Sequence, residues 1–299
     1  MNIFLLTFSI FSIIMDLMNL LWVADFSLRH SPGGAQRSDD ILIRYGRENG
    51  INITEFNYDT NPSLALENYD VVVSANLERL SYTHNGLIDI ISSHVRHFRL
   101  EHDSNRYLDQ NQRKNLFGSC IKSFFLTEFH LDQFIKSYGD IFNNPVIVPD
   151  PIDTQLFTDN DLEREDVTIY TGFMHELKGT NVFIEHAKNN PDKNFRCASW
   201  GDEQFETALR DLGNVDFLGK LNFDEMPSFY NKHKSMFYKP VFYEPFCRSV
   251  AEAIFSGVKI ESNDKIGCLH EMKRIGEKTL RDRCSKAPEL FWNIINSYA

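Results

Sequence analysis

Lys239-Pro240-Val241-Phe242-Tyr243-Glu244-Pro245-Phe246-Cys247-Arg248-Ser249-Val250-Ala251-Glu252-Ala253-Ile254-Phe255-Ser256-Gly257 leads directly into Val258-Lys259-Ile260-Glu261. The grammar is strand, loop, short helix and strand, with Gly257 placed as the helix stop. A loop that feeds a helix N-terminus at the carboxyl end of a parallel strand presents unpaired backbone N–H groups, and these suit a diphosphate. Arg248 at that helix start opposes the helix dipole when taken alone; a bound phosphate reverses the sign of that argument. Glu252 has two readings. With Ser249 it spells the capping box Ser-x-x-Glu, which is the commoner use of such a pair. Alternatively its carboxylate accepts both hydroxyls of a ribose, as acidic residues do in dinucleotide sites.

Outward from this segment, short apolar runs alternate with helical patterns, the signature of parallel βαβ construction. One series of candidate strands is Leu20–Phe26, Ile51–Asn57, Asp70–Ser74, Val95–Leu100, Ile121–Thr127 and Pro145–Val148. A second series is Val167–Gly172, Asn194–Ala198, Val215–Leu218, Ser235–Lys239 and Val258–Glu261. Between them lies Pro149-Asp150-Pro151-Ile152-Asp153, then the acidic stretch from Thr158 to Glu163, suited to an exposed connection. The expected division is an extension over 1–17, an N-terminal Rossmann-like domain over 18–150 and a C-terminal one over 151–299. The terminal helix Ala287–Tyr298, with Leu290, Phe291, Ile294 and Ile295 at helical spacing, is expected to return to the N-terminal domain.

Bulk properties agree with two lobes and exclude some functions. The 299 residues suffice for two domains of about 130 to 150 residues, each with its own core. The formal net charge of −11 gives no general attraction to a phosphate backbone, so nucleic acid is not an expected partner. The cysteines Cys120, Cys197, Cys247, Cys268 and Cys284 form no C-x-x-C pair and no secreted disulfide framework, which reads as reduced thiols in the cytoplasm. Residues Ile3 to Trp22 have the apolar character of a membrane span or signal segment, but Asp16 and Asn19 interrupt them and no basic residue precedes them. A span ending at Trp22 would also consume half of the first strand. An extension outside the fold, with Met15 or Met18 as the functional start, is the preferred reading; peripheral contact with a membrane surface has no support.

Glu244 and Glu252, with seven residues between them, in a Pro-x-x-x-Glu loop followed by Glu-Ala-x-x-x-Gly, resemble the E-x7-E motif of retaining family-4 glycosyltransferases with the GT-B fold. Three further segments fall in that family's order. Ile147-Val148-Pro149-Asp150-Pro151-Ile152-Asp153 resembles its proline, asparagine, glycine, valine, aspartate junction. Tyr170-Thr171-Gly172-Phe173-Met174-His175-Glu176-Leu177-Lys178-Gly179 resembles its strand and Lys-Gly loop. Val215-Asp216-Phe217-Leu218-Gly219-Lys220 resembles the strand before its final donor-site segments.

The resemblance implies an α/β protein of GT-B type, two Rossmann-like domains with parallel sheets facing an interdomain cleft. It implies a nucleotide-sugar donor, UDP- or GDP-linked, as substrate with no further cofactor. The acceptor would be a glycan, lipid or protein, bound by the N-terminal domain over 18–150, and the nucleotide sugar would be bound mainly by the C-terminal domain over 151–299. Glu244 would contact the donor sugar, Glu252 the ribose and Lys178 the diphosphate, with Phe246, Cys247, Arg248 and Ser249 forming the loop around it. Gly33-Gly34, in Ser31-Pro32-Gly33-Gly34-Ala35-Gln36-Arg37-Ser38, match the family's Gly-Gly loop; a helix capped by Ser38 is expected to follow. His102, in Glu101-His102-Asp103 after the strand Val95–Leu100, falls where similar enzymes place a histidine against donor sugar or acceptor. The chain departs from the family at Phe173, where an arginine is usual, and at Cys247, where a glycine is usual.

Other motifs carry less. Asp159-Asn160-Asp161 has the D-x-D form of metal-dependent transferases but lies in the acidic connection, which reads as solvated loop. The histidines show no ligand spacing, and no metal is expected. Two rival functions remain: a degenerate GT-B relative serving as a binding or assembly module, for which Phe173 and Cys247 speak, and a nicotinamide dehydrogenase, against which no G-x-G-x-x-G follows a strand.

Overall fold

The computed structural model describes residues 18–58, 60, 64–103 and 108–298. The expected extension over 1–17 lies outside them, and with it most of the apolar stretch from Ile3. Among the described residues no helix is long and apolar enough to cross a membrane. They fall into two compact units, one drawn from Met1–Pro151 and Ser285–Ala299, the other from Ile152–Cys284.

The first unit runs β1 (Asn19–Val23), α1 (Gly34–Glu48), β2 (Asn52–Phe56), β3 (Val71–Ser74), α2 (Glu78–Thr83), α3 (Leu87–Ser92), β4 (His97–Leu100), α4 (Gln110–Ser119), β5 (Lys122–Phe125), α5 (Glu128–Tyr138) and β6 (Val146–Ile147). The second runs β7 (Glu165–Met174), α6 (Thr180–Lys188), β8 (Phe195–Gly201), α7 (Glu203–Arg210), β9 (Val215–Phe217), α8 (Met226–Asn231), β10 (His233–Tyr238), α9 (Arg248–Phe255), β11 (Lys259–Ser262), α10 (Gly267–Ile275) and α11 (Glu277–Ser285). The last helix, α12 (Ala287–Asn296), belongs to the first unit.

Each unit is built on one parallel sheet, ordered β2-β1-β3-β4-β5-β6 and β11-β10-β7-β8-β9. Both have Rossmann-like β/α/β construction, and every expected strand is present. The bounds moved where polar chemistry intervenes. The first strand stops at Val23, because Ala24 and Asp25 already bond across to Phe56 and Asn76 and turn into a loop. The strand after Gly172 continues to Met174, paired residue for residue with β8.

Alternate residues of one strand reach opposite faces, and in β1 both faces are buried. Leu20 and Trp22 join Val71, Val73, Phe98 and Phe124 beneath α1 and α12, whereas Leu21 and Val23 join Val72 and Phe56 beneath α2, α3 and α4. The helix α12 inserts Phe291, Trp292 and Ile295, with Leu290 and Ile294 partly buried beside them. The Trp292 indole donates to the Leu42 carbonyl of α1 at 2.8 Å. Gly46 makes room for that ring: a Cβ there would stand 2.5 Å from Trp292 and 2.7 Å from Ile53.

Two substitutions check this packing by chemical denaturation. Trp292→Ala should cost about 3–5 kcal/mol, as truncation of a large buried aromatic does. Gly46→Ala should destabilise by about 1–3 kcal/mol through overpacking, outweighing the roughly 1 kcal/mol gained in helix propensity. An unchanged or raised midpoint for Gly46→Ala would mean that the Trp292 ring gives way.

Candidate functional site

In the second unit the chain leaves β7 through His175, whose Nδ1 accepts the Leu177 N–H at 3.1 Å and so starts the short turn Glu176–Lys178. Gly179 ends that turn at φ +81°, and a Cβ there would lie 2.1 Å from the carbonyl oxygen of Lys239. Only glycine permits both the left-handed backbone and this approach to the chain leaving β10. The consequence is that Lys178 meets Glu244, with Nζ 2.8 Å from the carboxylate. Glu244 is fixed from three sides. Its N–H donates to Lys265, its carbonyl accepts from Gly267, and its Oε1 accepts the Tyr238 hydroxyl at 3.1 Å. The lysine side chain is 41% exposed and the glutamate 9%, so the pair sits at the surface with its acid end covered.

The helix α9 begins at Arg248, with Cys247 as its N-cap residue at φ +73° and ψ +80°. Ser249 is therefore already inside the helix, and it does not form the expected capping box with Glu252. Instead Glu252 pairs with Arg248 one turn away, Nη2 to Oε1 at 3.3 Å, both side chains only 8% exposed. Ser249 Oγ lies 3.6 Å from the Cys247 sulfur. Phe246 contributes only backbone to the loop: its ring is in the core, and its carbonyl accepts the Cys268 N–H at 2.9 Å. Burial, then the charge of Glu244, pushes the Cys247 thiol up to about 12, so it is no nucleophile near neutral pH. Phe173, where the resemblance leads one to expect a cation, is 47% exposed and lies against Trp200, whose ring carries Lys220 Nζ 4.9 Å from its centre.

In the first unit Gly33 is the N-cap residue of α1 and Gly34 its first residue. Ser38 does not cap the helix as expected; it lies buried within it and donates to Asp150 Oδ1 at 2.6 Å and to the Gly34 carbonyl at 3.1 Å. His102, just after β4, is buried beside it. Its Nε2 is 2.8 Å from Asp39 Oδ1, and its Nδ1, 4.0 Å from Asp150 Oδ1, has no hydrogen-bond partner among the described residues. Burial pulls the His102 pKa down, but the carboxylates of Asp39, Asp150 and Asp103 together outweigh it and raise the pKa above the ordinary value. Asp39 and Tyr238 escaped the sequence reading. A carboxylate three and four residues before the buried Leu42 and Ile43 was a usable signal for Asp39; Tyr238 looked like any strand residue.

Asp159 of the D-x-D stretch bonds Arg164 at 2.7 Å, and the same guanidinium donates to the carbonyls of Ser256, Tyr230 and His233. The N–H of Asp161 and then Arg164 hold the Asp159 pKa below the ordinary range. Among the described residues no group of three or more His, Cys, Asp or Glu side chains is arranged to hold a metal. The five cysteines are all buried, and none is in a disulfide among the described residues.

Two Rossmann-like units, the second presenting a Lys-Gly turn and a helix N-terminus at the carboxyl ends of its strands, make up the GT-B fold of glycosyltransferases. No protein-family model and no curated protein matches the chain. Solved structures do. Anabaena HepE, crystallised with UDP and glucose, superposes with a TM-score of 0.64 at 14% identity, covering 91% of this chain and 94% of its own. Sucrose-phosphate synthase from Thermosynechococcus elongatus gives 0.67 at 11% identity, covering 93% and 96%. A glycosyltransferase from Rickettsia africae gives 0.62 at 12% identity, covering 94% and 93%. At such identities the likeness carries the fold.

Two predictions follow from the geometry. The His102 pKa is above its unfolded value of 6.5, so its proton stabilises the fold fully below pH 6.5 and that contribution is lost as pH rises through the folded pKa. His97 and His130, which burial pushes down to about 3, act oppositely: their stabilisation is lost as pH falls below 6.5. His102→Gln should therefore flatten only the alkaline side of the stability profile. By NMR the His102 midpoint should exceed 6.5 and fall in Asp39→Asn; a midpoint at or below 6.5 contradicts the cluster. Separately, Cys247→Gly should stabilise by about 1 kcal/mol, since the left-handed backbone costs a side chain about 1–3 kcal/mol and glycine's extra entropy returns up to about 1.

Proposed function

We propose that the chain transfers a sugar, with retention of configuration and without a metal, from a UDP- or GDP-linked donor to a glycan, lipid or protein acceptor. The observation that carries this reading is the pair of ion pairs, Lys178–Glu244 and Arg248–Glu252, at the start of α9 and the carboxyl ends of β7 and β10. A donor diphosphate is a stronger partner for both cations than a single carboxylate. Exchanging partners would turn Lys178 and Arg248 to phosphate and release Glu244 and Glu252 to accept hydroxyls of the sugar and the ribose. Catalysis would rest on positioning and on stabilising the departing diphosphate by those cations and the helix N-terminus. His102 would contact the sugar or acceptor, and Gly33-Gly34 would belong to the donor-binding loop. HepE, crystallised with UDP-glucose, supports a uridine donor. The buried cysteines, reduced rather than paired in disulfides, support a cytoplasmic location.

A second reading, a binding module that keeps the fold without turnover, is favoured by Phe173 in place of a cation and by the left-handed backbone at Cys247. Incubation with a panel of UDP- and GDP-sugars, following nucleotide release, separates the two. Lys178→Ala and Glu252→Gln should each weaken donor binding about 10- to 150-fold, the equivalent of the roughly 1.5–3 kcal/mol of a hydrogen bond to a charged group. Binding without release would favour the module. No binding of any nucleotide sugar, with Glu252→Gln altering stability alone, would sink the transferase reading.

A further inference from the structure

His102 stands on a short segment, Glu101–Asp103, that leaves the end of β4 outside any helix or strand. Asp39 and Asp150 hold its imidazole, but not the backbone that carries it. That backbone is held on both sides of His102. Before it, the Arg99 guanidinium donates to the Glu101 carboxylate and to the Ala75 carbonyl just past β3, all of these residues being buried. After it, Asp103 is gripped twice: Asn76 Nδ2 donates to its carboxylate at 2.7 Å, and His130 Nε2 stands 3.1 Å from its carbonyl oxygen.

His130 is the least expected of these partners. It is fully buried near the start of α5, where Thr127 Oγ1 accepts its N–H at 3.0 Å, and its ring meets Phe125 and Phe134 edge-on. Packing alone would be served by a phenylalanine, which fills such a position without burying two ring nitrogens. Both nitrogens are in use. The Leu126 N–H lies 3.4 Å from Nδ1, a contact in which Nδ1 can only accept; the ring proton therefore sits on Nε2 and is donated to the Asp103 carbonyl. Burial holds the His130 pKa down at about 3, so the ring stays neutral and keeps this tautomer where His102 titrates.

We propose that His130 is a positioning residue for His102: by donating to the Asp103 carbonyl it fixes the segment that carries the imidazole, and with it the place of that imidazole against Asp39 and Asp150. The use of His102 in sugar transfer rests on the transferase reading; the clamp itself stands on the geometry. His130 acts through the backbone of Asp103, 27 residues away, and not on a substrate.

The test follows the His102 ring by NMR in the full chain without nucleotide, its resonance identified by its loss in His102→Gln. His130→Phe keeps the ring and removes the donor. It should bring the His102 midpoint, raised by the surrounding carboxylates, back toward 6.5. His130→Gln, which retains an N–H, should hold the midpoint near that of the unaltered chain. Ile91→Val, in the core beneath α3, lowers stability elsewhere in the unit and should leave the midpoint in place. In turnover, His130→Phe should lower kcat about 10- to 100-fold with the donor KM within about twofold, as misplacement of a reacting group does. The inference is overturned if His130→Phe leaves the midpoint unmoved, if Ile91→Val moves it as far, if His130→Gln fares no better than His130→Phe, or if kcat is unchanged. Should His130→Phe not fold, Asn76→Ala, at a half-buried position, should move the midpoint in the same direction, and an unmoved midpoint there overturns the inference equally. Absence of turnover in the unaltered chain defeats the transferase reading alone; the midpoints then decide the clamp by themselves.

Discussion

The contact on which the second unit's chemistry depends is between backbones: Gly179 resting on the carbonyl of Lys239. It brings the turn after β7 against the segment after β10, and even a Cβ is too large to fit between them. Lys178 and Glu244 belong to those two segments, 66 residues apart in sequence, and their 2.8 Å contact is a consequence of the glycine. Parallel neighbours make this possible. β7 and β10 lie side by side with the same direction, so their carboxyl ends open at one edge of the sheet, where exiting loops converge.

The first unit solves the same problem with side chains. Ser38 and Asp39 from α1, His102 from the end of β4 and Asp150 from beyond β6 meet under cover, brought together from three separate parts of the chain. Buried polar groups are tolerable only when paired, and here the pairing is nearly complete. Among the described residues the exception in the cluster is His102 Nδ1, which has no hydrogen-bond partner. An imidazole among carboxylates keeps its proton to higher pH than a free one, because the charges of Asp39, Asp150 and Asp103 together outweigh the cost of burial.

Much of this was legible in the sequence because it is local. The alternating apolar runs located both sheets, since strands buried on two faces are apolar almost throughout. The Glu244 to Glu252 spacing located the α9 segment. The errors at Ser249 and Ser38 share one cause. Capping boxes are read from residue type at fixed spacing, yet where a helix starts depends on the backbone before it. At α9 Cys247 takes a left-handed conformation that its side chain disfavours, and the helix begins two residues before the position that would make Ser249 its cap. At α1 the loop straightens at Gly33, leaving Ser38 inside the helix to find a partner 112 residues away. The Asp39–His102 pair was illegible for the same reason: topology alone joins residues separated by 63 positions.

The ion pairs also bear on how a chain of net charge −11 could hold a doubly charged ligand. At distance its field repels an anion, but in physiological salt that field fades over about 8 Å, and only groups inside the site then matter. There each cation already has an acidic partner, so the local sum is close to neutral until the partners exchange. The surface at Phe173 removes one more positive charge and offers a half-exposed ring beside Trp200 and Lys220 instead. On the transferase proposal, phosphate affinity at this edge would rest on Lys178, Arg248 and the N–H groups opening α9, with apolar contact taking a larger share than in a site with two loop cations. Such a site is less sensitive to salt, because fewer fixed charges meet the ligand, and more sensitive to the shape of the loop, because backbone N–H groups act only at contact distance. The strained Cys247 stands at that loop, where a change of backbone conformation moves the first N–H groups of the helix.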